Sequence, residues 1–254
     1  MPEFDFRAPR LFVDAPLGAE RTVELARDQS NYLGNVLRLS AGDSILVFNG
    51  RDGEWQASIS GRKRPDQLTI IAQVRAQDRL SDLTYAFAPL KHARLDYMVQ
   101  KAVEMGASRL QPVTTRFTQI SRVNVERMRA NVIEAAEQCG ILAMPEVLDA
   151  RPLERALAAW SPDRLAIFCD EDADVRDPVG ALSVCGRGFG EVGAAQPLAL
   201  IIGPEGGFDP DEREALLRLP RVVRLSLGPR ILRADTAAVA ALALIQAVLG
   251  DGRG

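Results

Sequence analysis

The chain has 254 residues, of which 47% are hydrophobic and 26% are charged, and its formal net charge is −3. These proportions are typical of an ordinary globular protein, and they exclude a fibrous or intrinsically disordered chain. The negative charge gives no indication of a nucleic-acid partner, because proteins that bind phosphate backbones usually carry a basic excess.

Residues 1–76 predict a small domain built mainly from short strands. The Asn-Gly and Asp-Gly pairs within residues 49–53 supply the positive φ angles that a hairpin needs. A helix is expected after Asp28, a possible N-cap, because apolar residues follow it at helical spacing. Apolar or β-branched runs indicate strands at residues 10–13, 44–48, 54–59 and 68–74.

Residues 77–254 predict a second domain in which strands alternate with helices, as in a parallel sheet covered on both faces. The last helix, residues 236–249, is apolar nearly all round, so we expect it to be buried. The stretch 172–196 is rich in Gly and Asp and is expected to be a mobile loop. Strands are predicted at residues 83–90, 109–115, 165–169, 198–202 and 222–227, with intervening helices at 93–105, 124–139, 152–160 and 210–217.

Cysteine and histidine are scarce in this chain. Cys139, Cys169 and Cys185 show no C-x-x-C spacing, and His92 is the single histidine. This pattern predicts neither a disulfide framework nor a metal site. No apolar run reaches the length of a membrane helix, and the polar N-terminal residues lack the apolar core of a signal peptide. We therefore expect a cytoplasmic protein with no metal and no membrane partner.

Two glycine-bearing loops of the second domain each leave a predicted strand and enter a predicted helix. Residues 202–207 hold adjacent glycines, which let a ligand approach the backbone closely. Residues 225–237 combine apolar side chains, a glycine and two arginines, a mixture that suits an adenine and a thioether better than a phosphate. Ligands of open α/β sheets bind at this edge of the sheet. We expect the two strands to be neighbours and their loops to form one pocket.

A third glycine pattern, residues 188–193, fits G-x-G-x-x-G. In dinucleotide-binding proteins this pattern follows a strand and opens a helix, whereas here it precedes a predicted strand. Its position therefore argues against a nicotinamide or flavin site.

These segments resemble the RsmE family of 16S ribosomal RNA uridine N3-methyltransferases, which belongs to the SPOUT class. The likeness spans nearly the whole chain, and residues 202–207 and 227–233 are its most specific parts. It implies a PUA-like β-barrel for RNA binding over residues 1–76. Over residues 77–254 it implies an α/β SPOUT domain with a parallel sheet and a C-terminal trefoil knot. It also implies a homodimer that methylates 16S rRNA, free or in the small ribosomal subunit.

The resemblance further implies that S-adenosyl-L-methionine is the cofactor, held bent in the knot. Asp235 departs modestly from the family pattern, in which Glu is usual, and keeps the charge. The positions that match the family's cofactor-binding residues are Ile202, Gly203, Pro204, Glu205, Gly206, Gly207, Leu225, Leu227, Gly228, Ile231, Leu232, Thr236 and Ala237.

Methylation of uridine N3 requires loss of a proton, which a fixed cation near the developing negative oxygen favours. Arg230 or Arg233 is the hypothesised cation, and Glu205 is a candidate proton acceptor. Any RNA contact must come from local basic clusters, for which a solvated surface is the simpler interpretation. The candidate RNA-binding residues are Arg7, Arg10, Arg38, Arg62, Lys63, Arg64, Lys91 and Arg94.

Two other functions remain open. One is a SPOUT methyltransferase that acts on a ribose 2′-hydroxyl or on transfer RNA, although the Asn-Arg signature usual in the ribose-modifying branch is not evident. The other is a non-catalytic RNA-binding protein of ribosome assembly, against which the intact cofactor loops argue.

Overall fold

The computed structural model describes residues 8–61, 64–120, 122–174, 177–187 and 196–250. The chain divides into two compact units. The first contains Met1–Arg79 and also Ala136–Met144. The predicted division after residue 76 does not include this second segment. The second contains Leu80–Ala135 and Pro145–Gly254.

The first unit is built on a five-stranded sheet in the order β1-β3-β4-β5-β2. β1 pairs with β3 in parallel, and the other pairs are antiparallel. Gly50 and Gly53, between β3 and β4, have φ angles of 83° and 81°, as the hairpin prediction requires. The strands are β1 (Arg10–Phe12), β2 (Thr22–Glu24), β3 (Ser44–Phe48), β4 (Glu54–Ser60) and β5 (Gln67–Arg75).

A short helix, α1 (Arg27–Asn31), continues into a π-helical turn, Tyr32–Val36. Its N-cap is Ala26, so the prediction that Asp28 caps the helix is wrong. The Gln29 side chain accepts a hydrogen bond from the Ala26 backbone N–H at 3.0 Å and takes over part of the capping. Asp28 instead lies in the first turn, where a negative charge favours the helix dipole.

A buried ion cluster crosses this sheet. Glu54 accepts hydrogen bonds from the Arg10 guanidinium at 2.8 Å and from the Arg75 guanidinium at 2.7 Å. The side chains of Arg10 and Glu54 are only 4% and 2% exposed. The prediction that Arg10 contacts RNA is therefore wrong, because its side chain is buried and donates to Glu54 inside the unit.

The second unit contains a seven-stranded sheet whose main path is β12-β10-β11-β6-β7-β8, with β9 paired to β7. Every pair is parallel, which confirms the predicted sheet type. β10 lies between β11 and β12, so the prediction that these two strands are neighbours is wrong. The strands are β6 (Leu83–Phe87), β7 (Arg109–Thr114), β8 (Glu146–Val147), β9 (Arg151–Pro152), β10 (Leu165–Cys169), β11 (Leu198–Ile202) and β12 (Val222–Leu225).

β11 is buried at every residue, as its uninterrupted apolar sequence leads one to expect for a strand covered on both faces. The helices of this part of the chain are α2 (His92–Glu104), α3 (Val125–Cys139), α4 (Leu153–Ala158), α5 (Pro178–Arg187), α6 (Pro210–Leu217) and α7 (Ala234–Val248). α6 begins as predicted, since Asp209 forms a capping box with Glu212 and Pro210 occupies the first turn.

Two predictions about the helices need correction. Residues 172–196 are not simply a loop, because α5 forms within them; the G-x-G-x-x-G pattern at residues 188–193 lies outside the described residues. α7 is not buried all round, because Ala243 and Ala247 are exposed while Leu242 and Ile245 pack inward. In the described part of the chain, no helix has the length and apolar character needed to cross a membrane.

Candidate functional site

A cavity of about 860 Å³ lies in the second unit, at the carboxyl edge of the parallel sheet. Residues 202–208 line it after β11, and residues 227–234 line it after β12. The end of β10 contributes residues 168–172 between them. Carboxyl ends of parallel strands meet at one edge, where α/β proteins bind their ligands. The two glycine-bearing loops therefore share one cavity although their strands are not adjacent.

The structure gathers nearly all the predicted cofactor-binding and catalytic residues around this cavity. Of the residues predicted to bind cofactor, Thr236 alone is not in the lining; its side chain is exposed at the start of α7. The predicted catalytic residues Arg230, Arg233 and Glu205 line the cavity as well. Ile231 also lines it, and this residue is 92% exposed.

The end of β10 is a part of the site that the sequence prediction missed. Asp170 is buried and accepts hydrogen bonds from Arg213 at 2.9 Å and from Arg224 at 2.7 Å. It thereby joins β10 to α6 and β12 and supports the wall of the cavity. The acidic run that follows the predicted strand at residues 165–169 was the available signal.

Glycine is required at several points of the cavity wall. A Cβ on Gly203 would lie 2.6 Å from Cε2 of Phe208, whose ring packs edge-to-face on Phe168. Gly207 and Gly228 have φ angles of 74° and 101°, in the left-handed region that favours glycine. Side chains at these positions would either fill the wall or strain the loops.

Arg94 of α2 joins the two loops. Its guanidinium donates to Glu205 at 2.5 Å and makes two hydrogen bonds to Asp235, of 3.0 and 3.2 Å. The hydrogen bonds that Arg94 donates to Asp235 and then to Glu205 raise its pKa above the usual value. Because its guanidinium is bonded to these two carboxylates, we assign Arg94 to linking the two loops of the site in place of the predicted RNA contact.

The ion pair makes stability depend on pH in a defined direction. The hydrogen bond from Arg94 lowers the pKa of Asp235 from 3.8, so the contribution of the pair is complete above pH 3.8 and is lost as pH falls below it. We expect urea unfolding to show a stability difference between wild type and Asp235→Asn that shrinks in this acid range. The exposed Asp163→Asn should show no such trend. An Asp235→Asn difference that stays constant with pH contradicts the assignment.

Arg230 and Arg233 differ from Arg94 in their surroundings. Both are exposed at the cavity, and no carboxylate of the described residues lies within ion-pair distance of either. Their charges are therefore available to a ligand, because no internal partner compensates them. This availability is what a cation that stabilises developing negative charge requires.

Cys169 also lines the cavity, at the end of β10. Burial raises the pKa of its thiol to about 12. The thiol is protonated near neutral pH, and a protonated thiol is a poor nucleophile. A covalent cysteine mechanism is therefore disfavoured at this site.

The remaining candidate RNA-binding residues are distributed outside the cavity. Arg38, Arg64 and Lys91 are exposed, so their RNA contacts stay a prediction. Arg7, Arg62 and Lys63 lie outside the described residues. Within the described ranges, no cluster of His, Cys, Asp and Glu side chains could hold a metal ion.

Family models match both parts of the chain. A model described as an RNA methyltransferase domain matches residues 77–246, and one described as an RNA methyltransferase PUA domain matches residues 25–71. A Rickettsia conorii protein named ribosomal RNA small subunit methyltransferase E is 31% identical over 93% of this chain and 94% of its own length. The protein of the same name from Synechocystis is 32% identical, over 95% of this chain and 78% of its own.

Solved structures resemble the whole chain. The ribosomal RNA small subunit methyltransferase E of Neisseria gonorrhoeae, bound to S-adenosyl methionine, superposes with a TM-score of 0.82 at 25% identity. The similarity covers 96% of this chain and 99% of that one. A chain from Legionella pneumophila, solved with bound cofactor SAM, has a TM-score of 0.77 at 28% identity, covering 95% and 98% of the two chains.

Proposed function

This chain belongs to the ribosomal RNA small subunit methyltransferase E family, and we propose that it transfers the methyl group of S-adenosylmethionine to N3 of a uridine in 16S rRNA. The enzyme class, the cofactor and the small-subunit ribosomal RNA substrate are those of the family. The observation that carries the proposal is the convergence of two glycine-bearing loops on one cavity.

The residues around the cavity fit S-adenosylmethionine. A volume of about 860 Å³ lies within the usual range of small-molecule sites. Leu227 and Leu232 offer apolar surface to an adenine, and Gly203, Gly206 and Gly207 leave the backbone polar groups beside them free of side chains. The exposed carboxylates of Glu171 and Asp172 in the cavity lining suit a positively charged sulfonium.

The cofactor supplies an electrophilic methyl group, so the protein's own residues must orient the uridine and favour loss of its N3 proton. We assign to Arg230 or Arg233 the stabilisation of negative charge on the uracil oxygens, because both cations are exposed at the cavity. Each pKa unit by which they stabilise the uridine anion corresponds to about 1.4 kcal/mol.

Glu205 is our candidate proton acceptor. Arg94 donates to one of its oxygens and thereby orients the carboxylate at the cavity wall, leaving the second oxygen for a substrate. A general base needs hydrogen-bond reach to the proton it removes. Glu205→Gln keeps the shape of the side chain and should lower turnover if this role is correct.

Mass spectrometry of ribosomal RNA from a strain that lacks the protein tests the reaction and its position together. The proposal expects loss of N3-methyluridine from 16S rRNA and its return with the wild-type gene. Loss of a ribose methyl group or of a transfer-RNA modification supports the alternative methyltransferase. Unchanged RNA, together with no binding of S-adenosylmethionine, supports the non-catalytic RNA-binding protein.

Calorimetry tests the cofactor site directly. Gly203→Ala should weaken S-adenosylmethionine binding about ten-fold or more, because the new Cβ meets the Phe208 ring and overpacking typically costs about 1–3 kcal/mol. Gly18→Ala is the matched control, since its nearest neighbour at 3.4 Å belongs to the flexible Arg21 side chain. Equal affinity of the Gly203→Ala variant and wild type contradicts the placement of the cofactor.

Three further parts of the proposal follow from the family resemblance: a homodimer, a C-terminal trefoil knot and a cytoplasmic location. Val179 and Val184 of α5 are exposed, which supports an interface between two copies. The knot rests on the resemblance, since the β12-β10-β11 strand order by itself requires only a connection that passes β10. Light scattering of the purified protein tests the dimer.

A further inference from the structure

The turn that follows β7 holds an aromatic side chain beside Gly206, a residue of the cavity wall. Phe117 is 45% exposed, although it is a large apolar residue. Its Cβ lies only 3.3 Å from the position that a Cβ on Gly206 would take, so it contacts the loop that lines the cavity. Neither the family match nor the predicted site residues assign a role to Phe117.

Hydrogen bonds hold this turn in place. The Thr115 backbone N–H donates to Thr118 Oγ1 at 2.8 Å, and the Thr118 N–H donates to the Thr115 carbonyl at 3.1 Å. The Arg116 N–H donates to Glu212 at 2.8 Å. Because Glu212 belongs to the capping box of α6, the turn is anchored to the helix that follows the glycine loop.

An exposed aromatic ring on an anchored backbone is suited to stacking. An exposed phenyl ring keeps apolar surface in contact with water in the free protein, and covering that surface with a partner is favourable. Ordering a partner against it costs little conformational entropy, since the backbone that carries it is already fixed. Nucleobases of single-stranded RNA are commonly bound in this way, by stacking on aromatic side chains.

The charges around the ring favour RNA over an apolar partner. Arg230 and Arg233 line the cavity to which Gly206 also belongs, and they have no carboxylate partner among the described residues. Arg116, beside the ring, has a side chain that is 71% exposed and pairs with Asp209 only at 3.5 Å. An aromatic platform with exposed cations in its vicinity matches the alternation of bases and phosphates in a nucleic-acid strand.

We propose that Phe117 is a stacking platform for an unpaired base of the substrate RNA, at the entrance to the methyl-transfer cavity. This inference rests on the proposed function and deepens it, because it names a residue that positions the RNA strand. Phe117 holds the RNA strand in register, so substituting it should change the KM for RNA. Binding of S-adenosylmethionine does not depend on it.

Substitutions at Phe117 separate stacking from simple apolar packing. Phe117→Ala and Phe117→Leu should each raise the KM for small ribosomal subunits by about 5- to 150-fold, the range expected for one lost stacking contact. Phe117→Trp and Phe117→Tyr should keep a near-normal KM, because they retain a π-face. Calorimetry should give the same affinity for S-adenosylmethionine in all four variants. Tyr97→Ala, which removes another exposed aromatic of the second unit, is the matched control and should leave KM unchanged.

Fluorescence gives a second measurement that does not depend on turnover. Emission from the Phe117→Trp protein should be quenched by single-stranded oligouridylate, beyond any change that the oligonucleotide causes in wild type. A Leu variant with wild-type KM, or a Trp variant without added quenching, overturns the platform even if the enzyme methylates RNA. Quenching in a protein that neither binds S-adenosylmethionine nor methylates RNA keeps the platform and overturns the proposed function.

Discussion

Replacing Arg230 with alanine should lower kcat by about 10²- to 10³-fold, the effect of removing one preorganised donor from a site of developing charge. Arg230 lines the cavity and is exposed there, with no carboxylate partner in the described part of the chain. No carboxylate of the described residues therefore compensates its charge at the cavity. The KM for RNA should change much less than kcat, because the negative charge on the uracil develops during the reaction.

The variants must also be compared for cofactor affinity. Calorimetry with S-adenosylmethionine should give Arg230→Ala and wild type equal dissociation constants, since the assigned role concerns the uridine. Arg233→Ala identifies which of the two arginines acts, and the larger loss of kcat marks the catalytic one. Arg218→Ala, at the end of α6 and paired with Glu214, serves as a control with wild-type turnover. Near-normal kcat in both Arg230→Ala and Arg233→Ala means that the electrostatic assignment is wrong.

Replacing Glu54 with glutamine should destabilise the protein by about 3–5 kcal/mol, the usual cost of breaking a buried ion pair from one side. Glu54 is the shared acceptor for Arg10 and Arg75. In the variant, the buried Arg10 guanidinium keeps its charge but loses the Glu54 carboxylate, so the desolvation of that charge is less well compensated. Urea or guanidinium unfolding measures the loss as a shift of the transition midpoint.

An exposed pair supplies the contrast. Glu126 pairs with Arg129 one turn along α3, and its side chain is 81% exposed. Glu126→Gln should change the free energy of unfolding by less than about 0.5 kcal/mol, because water and salt screen such pairs. If Glu54→Gln and Glu126→Gln unfold at the same denaturant concentration, the buried cluster does not stabilise the first unit.

The elements that the sequence predicted well carry short-range signals. β10 and β11 are continuous apolar runs, and α6 begins with Asp209 and Pro210, so each could be recognised within a few residues. β2, a three-residue strand, is too short for any periodicity to show. α5 was missed because the Gly- and Asp-rich composition of residues 172–196 resembles a loop.

The chain by itself determined the two glycine-bearing loops, the parallel sheet and the family resemblance, since glycine conformations and apolar periodicity act locally. Tertiary structure alone decided that β10 lies between β11 and β12, and that Asp170 supports the cavity wall. It also decided that Arg94 donates hydrogen bonds to Asp235, 141 residues away, and that Arg10 is buried against Glu54. These contacts join residues that are far apart in the sequence. Whether they form depends on how the whole fold packs, so no pattern in the neighbouring residues predicts them.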